Sequence, residues 1–271
     1  MPKVEEIESA LYDWAPQELA EDWDNCGLQV GDPSWEVSRV LISLDATQDI
    51  LKKAIEGDFQ LVISHHPLIF NPITSLNLKE YTPRLLAGFL RHEIAVVSMH
   101  TNLDSAKGGV NDKLCNLLGL EIVAPMISSP TSQDEGLGRI CMLPEPMEAM
   151  DFVRHVGRSL GLRAVSWSGD QHTTVSKIAV CSGSGSSLFN KALEHGVDAY
   201  VTGEIKHSVA LQACYQEGLI VIDAGHFATE RPVVQEIKKY LSSISRENGW
   251  ELDIEIGEEA SPITFEFLSK G

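Results

Sequence analysis

Short apolar runs alternate with amphipathic segments along this chain, and the same alternation occurs twice. The apolar runs of the two stretches are Val37–Ser43, Phe59–Ser64 and Ile94–Ser98, and then Val175–Cys181, Val197–Thr202 and Leu219–Asp223. Short runs rich in Val and Ile are typical of buried parallel strands. A segment with helical spacing, such as Asp49–Glu56, lies between successive runs. Strands that alternate with helices predict layers of an α/β fold.

The two stretches are copies of one another. At one constant offset, Val37–Ser43 matches Val175–Cys181, Ile50–Glu56 matches Leu188–Glu194, and Phe59–Ser64 matches Val197–Thr202. After a shorter connection, Ile94–Ser98 matches Leu219–Asp223. The repeat therefore predicts two α/β halves, residues 1–124 and residues 125–271, whose chain ends have room to pack across them.

Imidazole and carboxylate side chains follow the predicted strands. The candidates are the adjacent pair His65 and His66 and two segments in which a carboxylate follows a histidine by four positions, His100 with Asp104 and His226 with Glu230. In α/β sheets, functional groups gather just past the carboxyl ends of the strands. Zn, Fe and Mn all accept imidazole and carboxylate ligands. The pattern therefore predicts a transition-metal site.

The two copies differ where this chemistry lies. His100 aligns with His226 and Asp104 with Glu230, but His65–His66 aligns with Gly203–Glu204. Because the residues that follow the strands differ between the two copies, we predict one composite site to which both halves contribute. The alternative is a decayed duplication in which only one half is functional. Several His and two carboxylates exceed the needs of a four-ligand structural zinc site and suit two ions that share a carboxylate. Within this set, His100 is the candidate acid or base, or a partner that orients a ligand, and the two carboxylates could instead be helix caps.

A turn rich in Ser and Gly, Ser182–Ser187, follows one apolar run and precedes a helical segment. Backbone N–H groups in such a turn can cradle an anion. The turn lacks the lysine of a P-loop and does not fit the G-x-G-x-x-G pattern. Anion binding and a simple tight turn both stay open.

The composition excludes some function classes. With 39 acidic and 21 basic residues the formal net charge is −18, and no Lys/Arg cluster stands out, so extended nucleic-acid binding is not expected. An anionic small substrate requires metal ions or local basic groups to offset this field. The five cysteines form no C-x-x-C pair, and no apolar stretch is long enough to span a membrane. We therefore expect a cytoplasmic protein.

Five segments, in order along the chain, resemble the signatures of a known family. They are Trp23–Gly31, Ser64–Phe70, His100–Asp104, Thr202–His207 and Gly225–Glu230. Together they resemble the Nif-three-like family, whose members are often labelled GTP cyclohydrolase I type 2. The segments run from near residue 22 to residue 230 and so cover almost the whole chain.

The resemblance implies a duplicated three-layer α/β/α fold without a large inserted domain. It implies two divalent transition-metal ions per chain, Zn, Fe or Mn, with ligands at His65, His66, Asp104, His226 and Glu230. It also implies a ring-shaped homohexamer and a reaction that opens the imidazole ring of GTP and releases formate. Family members often carry a second His after the Gly-Glu-Ile-Lys-His segment, and this chain has Ser208 there.

We therefore predict a dinuclear metal-dependent hydrolase with a nucleotide-like small-molecule substrate. One alternative keeps the metal site and changes the substrate to another nucleotide, a heterocycle or a phosphoester. Another is a non-enzymatic metal-binding ring that acts in assembly or regulation.

Overall fold

The computed structural model describes residues 1–216, 218–264 and 266. Its strands are β1 Gly27–Val30, β2 Arg39–Ser43, β3 Leu61–Ser64, β4 Ala95–Ser98, β5 Glu121–Ser128, β6 Gly136–Glu148, β7 Ser166–Gly169, β8 Thr174–Cys181, β9 Ala199–Thr202, β10 Ile220–Asp223 and β11 Asp253–Ile256. Its helices are α1 Val4–Trp14, α2 Gln48–Glu56, α3 Tyr81–Arg91, α4 Thr101–Ser105, α5 Val110–Leu117, α6 Ala149–Ser159, α7 Phe189–Glu194, α8 His207–Ala213, α9 His226–Glu230 and α10 Val233–Glu247. In the described part of the chain, no helix combines the length and the apolar character that crossing a membrane needs.

The first sheet has the strand order β1-β4-β3-β2-β11. Strands β2, β3 and β4 are parallel neighbours, and β1 pairs antiparallel with β4 at one edge. Strand β11, from the end of the chain, lies parallel to β2 at the other edge. The C-terminal segment thus completes the first sheet, so the two sheets do not divide at a single point in the chain.

The second sheet has the order β5-β6-β8-β9-β10-β7. Strands β8, β9 and β10 are parallel, whereas β5, β6 and β7 add antiparallel pairs on either side of them. The parallel units β2-α2-β3-α3-β4 and β8-α7-β9-α8-β10 are the two copies that the sequence repeat predicts.

Both faces of each sheet are buried beneath helices. In the first sheet, Ile42 packs into an apolar core on one face and Leu41 into a second core on the other. In the second sheet, Val180 packs into an apolar core on one face and Ala179 into another core on the opposite face. Strands buried on both faces read as continuous apolar runs, because alternate side chains point into different cores. The predicted α/β fold with helices on both faces of its sheets is confirmed.

Strand register brings the functional segments to a common edge. Ser43, Ser64 and Ser98 are aligned partners at the carboxyl ends of β2, β3 and β4. Cys181, Thr202 and Asp223 are aligned in the same way at the ends of β8, β9 and β10. The residues that follow these six positions therefore leave each sheet at one level, where side chains from different strands can meet.

Candidate metal centre

The adjacent histidines after β3 are held in defined orientations. The fully buried His65 ring lies with Nδ1 2.7 Å from the carbonyl oxygen of Met99. A carbonyl oxygen only accepts hydrogen bonds, so Nδ1 donates and Nε2 carries the free lone pair. His66 places Nδ1 2.8 Å from Oδ1 of Asp45, two residues past the end of β2. Each ring therefore turns Nε2 toward the interior of the cluster.

Helix α9 brings a third histidine and a carboxylate to the same place. His226 and Glu230 lie one helical turn apart and so share a face, with Nε2 of His226 2.8 Å from Oε2 of Glu230. Nε2 of His66 lies 2.9 Å from the same oxygen and 3.2 Å from Nε2 of His226. Nδ1 of His226 contacts Oε1 of Glu204 at 2.7 Å. The donors of the two halves thus meet around one carboxylate.

The corresponding segment of the first half is arranged differently. Helix α4 begins after His100, and the ring of His100 turns away from Asp104 to place Nδ1 2.8 Å from Oδ1 of Asp24. Asp104 instead approaches His65, whose Nε2 lies 3.8 Å from its Oδ1. Although His100 and His226 align in the repeat, His226 pairs with the carboxylate one turn later and His100 does not.

One buried nitrogen of this cluster lies where a cation could bind. Among the described residues, the buried side-chain polar atoms without a hydrogen-bond partner are Ser43 Oγ and His65 Nε2. His65 Nε2 lies 3.8 Å from Asp104 and 3.9 Å from Glu230, too far for hydrogen bonds. An unpaired buried polar group costs about 1–3 kcal/mol. A divalent ion among these three side chains would satisfy the nitrogen lone pair and both carboxylates.

The protonation behaviour of the cluster agrees with this reading. Burial alone would lower the pKa of His66, but its hydrogen bonds to Asp45 and Glu230 raise it to about 10. Burial raises the pKa of Asp104, and the charge of Glu230 adds to the rise. For Glu230, burial acts in the same direction, yet its hydrogen bonds with His226 and His66 hold its pKa well below the usual range. Without a metal ion the cluster thus compensates its buried carboxylates with protons on histidine, and a divalent ion would take the place of those protons.

The donor atoms form three overlapping groups, each within 4.8 Å, that could hold a metal ion. They are His65, Asp104 and Glu230; His66, His226 and Glu230; and His65, His66 and His100. The first two groups share Glu230, so this one carboxylate could serve both of them. The third group shows that His100 also faces the cluster. The five residues predicted as metal ligands are therefore together, and their role as ligands stays a prediction.

The turn after β8 closes over the shared carboxylate. Gly183 has a φ of +59°, and a Cβ at this position would overlap Oε1 of Glu230. The amide of Gly183 donates to Thr229 Oγ1, and the amide of Ser182 donates to Asn111 Oδ1. Asn111 also donates to the carbonyl oxygen of Asp104, so its side chain joins the two halves at the cluster. These two amides are used internally, so Ser182 and Gly183 support the site through contacts within the protein.

We expect Gly183→Ala to reduce bound metal strongly although it removes no ligand atom, because the added methyl group displaces Glu230. The measurement is metal per chain by elemental analysis. Gly196→Ala is the matched control, since Gly196 has nearly the same φ, +60°, and no atom of the described residues lies within 4 Å of the added Cβ. Equal metal in both variants would show that the position of Glu230 does not govern binding.

The comparisons with known proteins agree on the family. Residues 2–262 match the family described as Duf34/NIF3 (NGG1p interacting factor 3). The chain belongs to the Duf34/NIF3 family. A Streptomyces coelicolor relative named GTP cyclohydrolase 1 type 2 homolog is 34% identical over 260 residues, which cover 94% of this chain and 91% of that protein. A Clostridium perfringens relative of the same name is 33% identical over 246 residues, 89% of this chain and 93% of that protein.

A solved structure of a Bacillus cereus protein related to NIF3 superposes on this Duf34/NIF3 chain with a TM-score of 0.88. It is 25% identical, and the match covers 98% of this chain and 99% of that chain. The resemblance stated from the sequence is confirmed. All the residues of the cluster lie inside the range that matches the Duf34/NIF3 family.

Three carboxylates of this Duf34/NIF3 chain support the site but were not among the predicted site residues: Asp24, Asp45 and Glu204. Each contacts Nδ1 of a different histidine and so fixes which nitrogen faces the cluster. Asp45 and Glu204 lie two residues past the ends of β2 and β9. They could have been selected as the histidines were, because functional groups gather just past the carboxyl ends of strands. Asp24 lies in a loop before β1, and no strand-end rule points to it.

Proposed function

We propose that this chain is a hydrolase that holds two divalent transition-metal ions and acts on a nucleotide-like small molecule. The observation that carries the proposal is the buried Nε2 of His65, which faces Asp104 and Glu230 and has no hydrogen-bond partner among the residues that the structure describes. His65, Asp104 and Glu230 would hold one ion, and His66, His226 and Glu230 the other. Zn, Fe and Mn all suit imidazole and carboxylate donors.

The donor set favours a catalytic over a structural site. Structural zinc sites usually include Cys thiolates and are closed by four protein ligands, whereas this cluster has no Cys donor and three ligands per proposed ion. Ions held with open positions supply Lewis acidity and make water nucleophilic near neutral pH. The side chains of this chain then have to orient the substrate and move the proton.

His100 is the residue that we assign to proton transfer. Its Nδ1 is fixed against Asp24, so Nε2 is the atom that faces the cluster and can accept or donate a proton. Asp24 keeps this orientation because it also accepts hydrogen bonds from the amide and the hydroxyl of Thr101. These contacts hold the pKa of the Asp24 carboxyl well below its usual range, although burial opposes the shift. The pair resembles the orientation of a catalytic histidine by a buried carboxylate.

The named activity that we propose is the opening of the imidazole ring of GTP with release of formate. The names of the curated relatives support it, since they are homologs of GTP cyclohydrolase 1 type 2. The test is formate release from GTP by the metal-loaded chain, run beside a phosphate-release screen over nucleotides and phosphoesters. Formate supports the named activity, whereas phosphate without formate moves the substrate to a phosphoester. No turnover at full metal content would overturn the hydrolase proposal.

Assembly and location stay predictions. We propose a closed ring of six chains, as the family resemblance implies, and closure by point-group symmetry is usual for soluble homo-oligomers. Light scattering should then give a mass near six times the 29.7 kDa of one chain. A stable monomer at micromolar concentration would contradict this proposal. Since all five cysteines are free thiols in the structure, we also propose that the protein resides in the reducing cytoplasm.

A further inference from the structure

Two large aromatic side chains lie exposed beside the candidate metal centre. The exposed fraction is 59% for Trp23 and 54% for Phe70, and their ring centroids lie 5.8 Å apart. Both rings meet His100 edge to face, with centroid distances of 6.1 and 6.3 Å. His100 in turn lies 5.2 Å from the ring of His65. We name Trp23 and Phe70 the aromatic pair.

The aromatic pair is held in place by polar contacts of its neighbours rather than by its own burial. Beside Phe70, the carbonyl oxygen of Ile69 accepts from Nδ2 of Asn25, and the amide of Ile69 donates to Oε1 of Gln29. Gln29 donates back to the carbonyl oxygen of Asn25 at 2.7 Å. These bonds join the chain around β1 to the loop after β3, so the two backbone segments that carry the rings are tied together.

The residue after Trp23 joins the same loop to the metal centre. Asp24 accepts from the side chain of His100 and from the amide of Thr101, and the thiol of Cys26 donates to it at 3.0 Å. Burial and the neighbouring Asp24 raise the pKa of Cys26 to about 12, so the sulfur stays a thiol and acts as a donor. Exposed aromatic rings on such a fixed support lose little conformational freedom when a ligand binds.

We propose that the aromatic pair stacks a planar heterocycle of the nucleobase class and presents its edge to His100 and the metal centre. This inference rests on the proposed function for the chemistry at that edge. Exposed aromatic side chains bind bases by stacking, because every base has a π-face. Because both rings of the pair contact His100, a base stacked on them lies next to His100. A protein surface seated on the same rings would block the approach of a small molecule to His100.

The test is equilibrium binding of GMP, AMP, CMP and UMP to the metal-loaded chain, with ribose 5-phosphate as the probe without a base. We expect at least one nucleotide to bind at least ten-fold more tightly than ribose 5-phosphate. Trp23→Ala and Phe70→Ala should each weaken that nucleotide about ten-fold, within the range known for base stacking. Trp23→Phe should retain most of the affinity, because it keeps an aromatic face. Trp167→Ala, an exposed tryptophan on β7, is the control and should leave the affinity unchanged.

Metal per chain and molecular mass are measured on every variant. Failure of all four nucleotides to bind the wild type more tightly than ribose 5-phosphate would overturn the inference. An unchanged nucleotide affinity in Trp23→Ala would also overturn it. A changed molecular mass of the variants with unchanged nucleotide affinity would overturn it as well, because the aromatic pair would then be a contact between copies of the chain. Formate release tests the proposed function separately. If the wild type releases no formate but the aromatic variants lose nucleotide affinity, the aromatic site stands and the proposed function fails. If the wild type releases formate but the aromatic variants bind nucleotide as tightly as the wild type, the proposed function stands and the aromatic site fails.

Discussion

Replacing Glu230 with alanine is expected to remove most of the metal that the purified protein carries. Both proposed ion positions use Glu230, and its carboxylate lies within 3 Å of Nε2 of His66 and His226. Elemental analysis of protein purified without chelator should show up to two ions per wild-type chain and a small fraction of that in Glu230→Ala. Glu56→Ala is the matched control, because Glu56 is an exposed carboxylate on α2.

Two additions separate loss of metal from loss of fold. Glu230→Gln keeps the volume of the side chain and removes its charge, so it should also lose metal while circular dichroism stays native. The double variant His65→Ala, Glu230→Ala should hold almost none. Full occupancy in that double variant would remove these residues from the site.

Replacing His100 with alanine is expected to leave most of the metal in place and to lower turnover about 100-fold or more, the usual scale for a general acid or base. The reason is that the Nδ1 of His100 is bound to Asp24, while Nε2 faces the cluster beside His65 and His66. The measurement is formate release from GTP at matched metal content. His172→Ala, an exposed histidine, is the control.

The metal content of the same variant decides the role of His100. Loss of metal equal to that of Glu230→Ala would make His100 a ligand instead of the proton carrier, since it also shares a donor group with His65 and His66. Equal turnover with and without His100 would remove it from the mechanism. Asp24→Asn should keep metal and lower turnover less than His100→Ala does, because the imidazole of His100 remains and only the contacts that orient it are weakened.

Much of the fold was predictable from two features of the sequence, the short apolar runs and their repetition. Buried parallel strands such as Val62 to Ser64 are continuous apolar runs, and the repeat states the same pattern twice. The rule that function follows the carboxyl ends of strands then selected His65, His66 and His226. What the pattern could not show was that β11 pairs with β2, because this contact joins Asp253 and Arg39 across most of the chain.

The roles of the histidines were harder to predict than their positions. The spacing of His100 to Asp104 equals that of His226 to Glu230, yet only His226 lies inside its helix. His100 precedes α4, and its ring places Nδ1 against Asp24. The direction of a side chain depends on that local backbone and on a partner from a distant loop, and neither can be read from spacing.

The most direct test of the account is anomalous X-ray diffraction from crystals of the metal-loaded chain. We predict two strong anomalous peaks in each chain, one bound by His65, Asp104 and Glu230 and the other by His66, His226 and Glu230. Glu230 should contact both. A single peak, or peaks away from these residues, would contradict the dinuclear centre on which the proposed function depends.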